Sequence, residues 1–177
     1  MTLLDKKDLK TATREGGELG PVLRHSMGGT LVHQIGDDWP SSPGQSINML
    51  YEFGNHIGLQ VKLSTVKFQT FVIPKGDVVH WGVLERHSVP MARTHDRSST
   101  IAFGLLYGPI GALVGASMDT RSAEKQGEKP VIGVAYRVGN AEHAFFLEFP
   151  LAAMYRKAHD FLDDCLPGLL RRQPEAS

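Results

Sequence analysis

Five cationic or titratable side chains fall in one short stretch: Arg86, His87, Arg93, His95 and Arg97. Guanidinium groups hold carboxylates and phosphates through paired N–H donors, and imidazole adds charge near neutrality. The set therefore predicts a basic rim suited to a small anion or a phospholipid headgroup. Glu85 and Asp96 stand in the same stretch and balance part of its charge, so a solvated loop is the plainer expectation. His80 and Asp77 lie close by and raise the question of a metal. No HxH or HxxxH pair fixes two imidazoles on one face, so no metal site is expected. No Gly-rich loop runs into Lys-Ser or Lys-Thr, so no nucleotide cradle and no cofactor are expected either.

The second feature is apolar. Residues 101–118 form a run of 18 without a charge. Gly104 and Gly108 make one GxxxG pair, and Gly111 and Gly115 a second. On a helix such glycines share a face and let another backbone approach closely. Pro109 follows Gly108; it has no N–H, and its ring clashes with the preceding turn, so one straight helix is broken there. The pattern predicts a hairpin of two short arms, with Gly104, Leu105, Leu106, Tyr107, Gly108, Pro109, Ile110, Gly111, Leu113 and Gly115 as its contact residues. Each arm would be about 11–12 Å long, against a hydrocarbon core of about 30 Å. Such a hairpin would project from a domain and fold back on the core, pack on another chain, or touch a membrane surface.

The third feature is Arg24-His25-Ser26-Met27-Gly28-Gly29. It is similar to the nucleophile elbow of α/β-hydrolases, in which a serine sits on a sharp strand-to-helix turn. Arg24 stands where that elbow needs a small residue, and only 25 residues precede Ser26. The expectation is a turn and no catalytic residue, with a serine hydrolase at Ser26, assisted by Asp119, His143 or His159, as the alternative.

Composition limits what these features can belong to. The chain has 177 residues, with 19 Lys+Arg against 19 Asp+Glu. Hydrophobic residues make up 41% and charged residues 21%, ordinary for a globular protein. A net charge of zero argues against nucleic acid as a partner, because such binders usually carry basic excess. One cysteine, Cys165, excludes an internal disulfide framework and reads as a buried, inert thiol. The first residues, Met1-Thr2-Leu3-Leu4-Asp5-Lys6-Lys7, show no apolar signal region, so a cytoplasmic protein is expected.

The elements that would position these groups follow from periodicity. Residues 1–58 read as an N-terminal extension: a short amphipathic start, a flexible lead, the turn cluster Gly36-Asp37-Asp38-Trp39-Pro40, and a helix over about 46–57. Ile47, Leu50, Tyr51 and Ile57 lie near one face of that helix, with Ser46 as its cap. Strands are predicted over 61–73 and 78–84, around the turn at Pro74-Lys75-Gly76-Asp77. Residues 131–138 and 143–149 alternate strictly around Gly139-Asn140, a β-hairpin signature. Pro150 then opens a helix with Leu151, Tyr155, Ala158, Leu162 and Cys165 as its buried stripe, stopped by Pro167-Gly168. Residues 167–177 form a loose tail.

Taken in order, the strands, Gly-Leu-Leu-Tyr-Gly-Pro-Ile-Gly-Ala-Leu-Val-Gly at 104–115, Val-Ile-Gly-Val-Ala-Tyr-Arg-Val after Pro130, Phe-Phe-Leu-Glu-Phe from Phe145, and the last helix resemble bacterial pleckstrin-homology-like (PH-like) domains carrying a glycine-rich hairpin insertion. The resemblance spans about 59–166. It implies an α+β fold: a strongly bent antiparallel sheet or partly open barrel capped by the C-terminal helix. It also implies a bacterial or phage binding module, without a catalytic set, that contacts lipids, peptides or copies of itself. The expected partners are a homo-oligomer or another protein, with peripheral membrane contact open.

Overall fold

The computed structural model describes residues 2–14, 17–36, 44–84 and 130–167. The basic rim, the Gly-rich hairpin, the Asp37–Trp39 turn and most of the tail lie outside the described residues.

The chain is α+β, with two antiparallel sheets of five and four strands and, among the described residues, two helices. The elements are β1 (Thr2–Asp5), α1 (Lys6–Ala12), β2 (Val22–Met27), β3 (Thr30–Ile35), β4 (Ile47–Phe53), β5 (His56–Lys62), β6 (Phe68–Pro74), β7 (Val78–Leu84), β8 (Val131–Val138), β9 (Ala141–Glu148) and α2 (Ala152–Cys165). The five-stranded sheet runs β1-β6-β5-β4-β2 and the four-stranded sheet β3-β9-β8-β7; neither closes on itself.

Two halves of one bent strand join the sheets. β2 pairs with β4, and after Gly28-Gly29 the chain continues as β3 and pairs with β9. The corner is tied down from residues 45–48: Gly28 N–H donates to Asn48 O (3.1 Å), Ile47 N–H to Gly29 O (2.8 Å) and Leu31 N–H to Gln45 O (2.9 Å). A side chain at either glycine would not fit. A Cβ on Gly28 would overlap the Ile47 carbonyl, and one on Gly29 would lie 2.5 Å from Glu148 O.

The core fills the space between the inner faces. Leu50, Leu59, Phe71 and Ile73 from one sheet meet Trp81, Ile132, Val134, Phe145 and Leu147 from the other. α2 closes one end with Tyr155, Ala158, Phe161, Leu162 and Cys165. Leu151, expected in that stripe, precedes the helix and is exposed. The β8–β9 hairpin turns at Gly139 (φ +60°) and Asn140, with glycine at the first central position as tight hairpins favour.

The helix expected over 46–57 is not formed. That segment is β4 and the first two residues of β5, with Gly54-Asn55 as the loop between them. Leu50 and Glu52 point inward, while Phe53 is buried on the opposite face against Leu19 and Val72. Burial on both faces blurs the period of 2, and the leftover apolar spacing mimics 3.6. Residue 58 thus lies inside β5, and strands from both sides of it enter the same two sheets. The flexible lead is likewise ordered over 2–14. Asp5 caps α1 through Lys7 N–H (2.7 Å) and Asp8 N–H (2.8 Å), and Leu4, Leu9 and Ala12 pack with Leu19 on the outer face of the five-stranded sheet.

Candidate functional site

The candidate contact residues 104–115 and the rim Arg86, His87, Arg93, His95 and Arg97 belong to the stretch between β7 and β8. The described residues fix where that stretch is rooted. Leu84 ends β7 and Val131 begins β8, and the two are register partners. The 46 residues between them therefore leave and re-enter the four-stranded sheet at one point.

The outer face of this sheet has an unusual floor. One row across it reads Gly82, Gly133, Phe146, His33, and the next reads His80, Ala135, Ala144, Ile35. Gly82, Gly133, Ala135 and Ala144 thus bring small residues together on this face beside Phe146, Leu84 and Val131. The larger three are buried: Leu84, Val131 and Phe146 are each 0% exposed. Among the described residues the cluster they form draws on β3, β7, β8 and β9, and neither described helix contributes to it. The sequence hint was present, since Gly82 and Gly133 interrupt otherwise β-prone strands, but only the register puts them side by side.

Ser26 does not sit on an elbow. It lies inside β2, opposite Leu50, and the strand runs on through Gly28-Gly29 into β3 where an elbow would start a helix. Its Oγ is buried without a hydrogen-bond partner. An unsatisfied buried hydroxyl costs about 1–3 kcal/mol. Ser26→Ala is therefore expected to leave stability unchanged or raise it by up to about 1 kcal/mol in urea unfolding. A loss above about 1 kcal/mol would show that the hydroxyl has a structural partner.

The chemistry that sequence reading missed is a charge cluster at the C-terminal end of α2. Glu52, with an 8% exposed side chain, takes Lys75 Nζ on Oε1 (2.6 Å) and faces Arg24 Nε from Oε2 (3.3 Å). Arg24 also reaches Asp164 on α2 (2.6 Å). Both pairs at 2.6 Å are short, but they differ in weight. Arg24 and Asp164 are 51% and 66% exposed, where an ion pair is worth about 0–1 kcal/mol. Glu52 is desolvated and depends on Lys75. Burial alone pushes its carboxyl up; Lys75, then the Cys165 thiol and Arg24, outweigh that and hold it below the ordinary glutamate value. Burial first, and then the Glu52 charge, pushes the Cys165 thiol up to about 12.

A buried thiol with so high a pKa is a poor nucleophile at neutral pH. Cys165 is expected to resist a thiol-specific disulfide reagent in the native protein up to pH 9 and to react fully in denaturant. Rapid native labelling would contradict its burial. No group of three His, Cys, Asp or Glu side chains able to hold a metal occurs among the described residues. A void of about 10 Å³ remains among Leu50, Leu59, Phe145, Leu147, Phe161 and Leu162, at the lower limit for one water. Among the described residues no helix is long and apolar enough to cross a membrane. No family model, no curated protein and no solved structure matches the chain.

Proposed function

We propose that the chain is a non-catalytic binding and assembly module on a PH-like core, acting through the apolar segment 104–115. Self-association is its main mode, and peripheral membrane contact the competing one. The observation that carries this reading is the connection between β7 and β8. A long insertion with an uncharged, glycine-paired centre springs from one point of a sheet whose own strands are complete without it. The PH-like part of the reading is supported by a bent strand shared between two antiparallel sheets and by a C-terminal helix at the open end. The Ser26 setting offers a hydrolase no elbow, which favours binding over catalysis.

The test compares mass in solution and liposome co-sedimentation for the wild type and for Gly108→Leu with Gly111→Leu. A wild-type oligomer that falls to monomer in the variant supports the reading. Loss of liposome binding alone moves the function to the membrane. If neither changes while the protein stays folded, segment 104–115 is not the contact element.

A further inference from the structure

We propose that the outer edge of β2 is a pairing surface for a second copy of this chain, joined antiparallel about a two-fold axis at His25. This goes beyond the reading above and uses nothing of segment 104–115.

Exposure marks the edge. β2 ends the five-stranded sheet, with β4 on one side. Among the described residues no hydrogen bond leaves its other side. Val22, Leu23 and Met27 are 43%, 56% and 46% exposed, three of the six large apolar side chains that stand exposed among the described residues. Sheets guard such edges with lysine, proline, shortness or a covering segment. β1, at the opposite edge, has four residues and runs into Lys6-Lys7. β3 is covered by residues 44–46, through Gly44 N–H to Leu31 O (2.6 Å), Leu31 N–H to Gln45 O (2.9 Å) and a bridge between Thr30 and Ser46. β2 has six residues, no lysine and no proline.

Its backbone is set for a further strand. Residues of an antiparallel strand turn their N–H and C=O alternately to one neighbour and to the other. Gly28 N–H donates to Asn48 O on β4 (3.1 Å), and Ser26 and Arg24 precede it at intervals of two in one register. His25 and Met27 therefore turn their N–H and C=O away from β4.

Shape and charge select a second copy as the strand that receives them. β2 is bounded by a bulge at Leu23 and by the bend at Gly28-Gly29. A straight strand would part from it at both ends. A second β2 turned about His25 sets Leu23 opposite Met27 and Val22 opposite Gly28, so each strand leaves the pairing where its mate bends away. The Leu23–Met27 contacts cover apolar side chains that one chain leaves in water. Arg24 falls opposite Ser26 of the second copy, not opposite a second Arg24, and it already meets Glu52 (3.3 Å) and Asp164 (2.6 Å). Directly opposed arginines, which would resist a symmetric pairing, do not arise.

Sedimentation equilibrium of wild type, His25→Pro and Met27→Lys tests the pairing. His25→Pro removes an N–H that points away from β4, which an edge strand tolerates, and by symmetry it costs the pair two hydrogen bonds. The expected result is a wild-type dimer whose dissociation constant rises at least about 10-fold in each variant. A monomeric wild type leaves the edge to a foreign strand and overturns the proposal. A dimer that either folded variant leaves unmoved overturns it too; if His25→Pro does not fold, Met27→Lys decides. Opposed Cα atoms in a hydrogen-bonded pair lie about 5.5 Å apart, within disulfide reach. Mild oxidation of His25→Cys should therefore give a linked dimer, and Leu3→Cys on β1 should not. No link at His25→Cys, or equal yield from both, counts against the pairing. Repeating the Met27→Lys comparison in the Gly108→Leu, Gly111→Leu background separates the two contacts. A dimer that survives there and dissociates with Met27→Lys belongs to β2 and counts against segment 104–115. A folded but monomeric background supports that segment and overturns the β2 pairing.

Discussion

Gly28→Ala is expected to cost about 3 kcal/mol of folding stability, at the upper end of the range for inserting a methyl group into close-packed structure. The new Cβ would overlap the Ile47 carbonyl oxygen and lie 2.8 Å from the Ile47 Cγ2 methyl. Backbone atoms cannot rotate away as a flexible side chain can. Relief requires moving β4 or the corner, yet both are held: Gly28 N–H donates to Asn48 O and Ile47 N–H to Gly29 O. The displacement would pass into both sheets, because β2 belongs to one and β3 to the other. Gly29→Ala meets Glu148 O and the Phe149 ring from the other side and should cost a similar amount. Gly76→Ala is the control, since nothing lies within 4 Å of a Cβ there; it should stay within about 0.5 kcal/mol. Urea unfolding of the three variants decides the matter. A Gly28→Ala midpoint no lower than that of Gly76→Ala would show that the corner yields freely.

The same two glycines show what a sequence withholds. Locally, Ser26-Met27-Gly28-Gly29 looks like a catalytic string, because small residues beside a serine are what a strained nucleophile turn requires. Its use is steric, to let a strand bend while two other chain segments press on it. That demand comes from Ile47 and Glu148, which local sequence does not bring near. Residues 131–165 were legible because each of their elements declares itself within its own span. Ile132, Val134 and Tyr136 alternate inward, Gly139 supplies the turn, and Tyr155, Ala158, Leu162 and Cys165 return at helical spacing. β4 was illegible because its two faces meet different cores, so Phe53 and Leu50 are both buried while pointing apart. Of the candidate site, the apolar run between β7 and β8 could be read directly. The pairing of Gly82 with Gly133 on the outer face of the four-stranded sheet could not, because the two are 51 positions apart in the sequence and become neighbours only through strand register.

Glu52 presents the complementary case, a charge whose partners are scattered over residues 24, 75 and 165. Removing Lys75 leaves a desolvated carboxylate with Arg24 at 3.3 Å as its counter-charge and the Cys165 thiol beside it. Breaking a buried pair by deleting one partner costs about 3–5 kcal/mol; Lys75 is itself 23% exposed, so about 2–3 kcal/mol is expected for Lys75→Met at pH 7. Replacing both partners is a different experiment. Glu52→Leu with Lys75→Met removes the charge along with its counter-charge and should recover most of the loss, since apolar replacements of buried pairs are often near neutral. The pH dependence carries the sign. The Glu52 carboxyl titrates below its unfolded value, so it contributes stability above the ordinary glutamate pKa, and that contribution is lost as pH falls through the folded value. Glu52→Gln should flatten the acid limb of the stability curve. Lys75→Met should do the reverse: with its main counter-charge gone, burial drives the carboxyl up, and the acid limb moves to higher pH. Chemical unfolding at several pH values between 3 and 7 resolves both effects. A double variant that remains as unstable as Lys75→Met would mean that packing of the Lys75 stem, and not charge pairing, holds this end of the helix to the sheet.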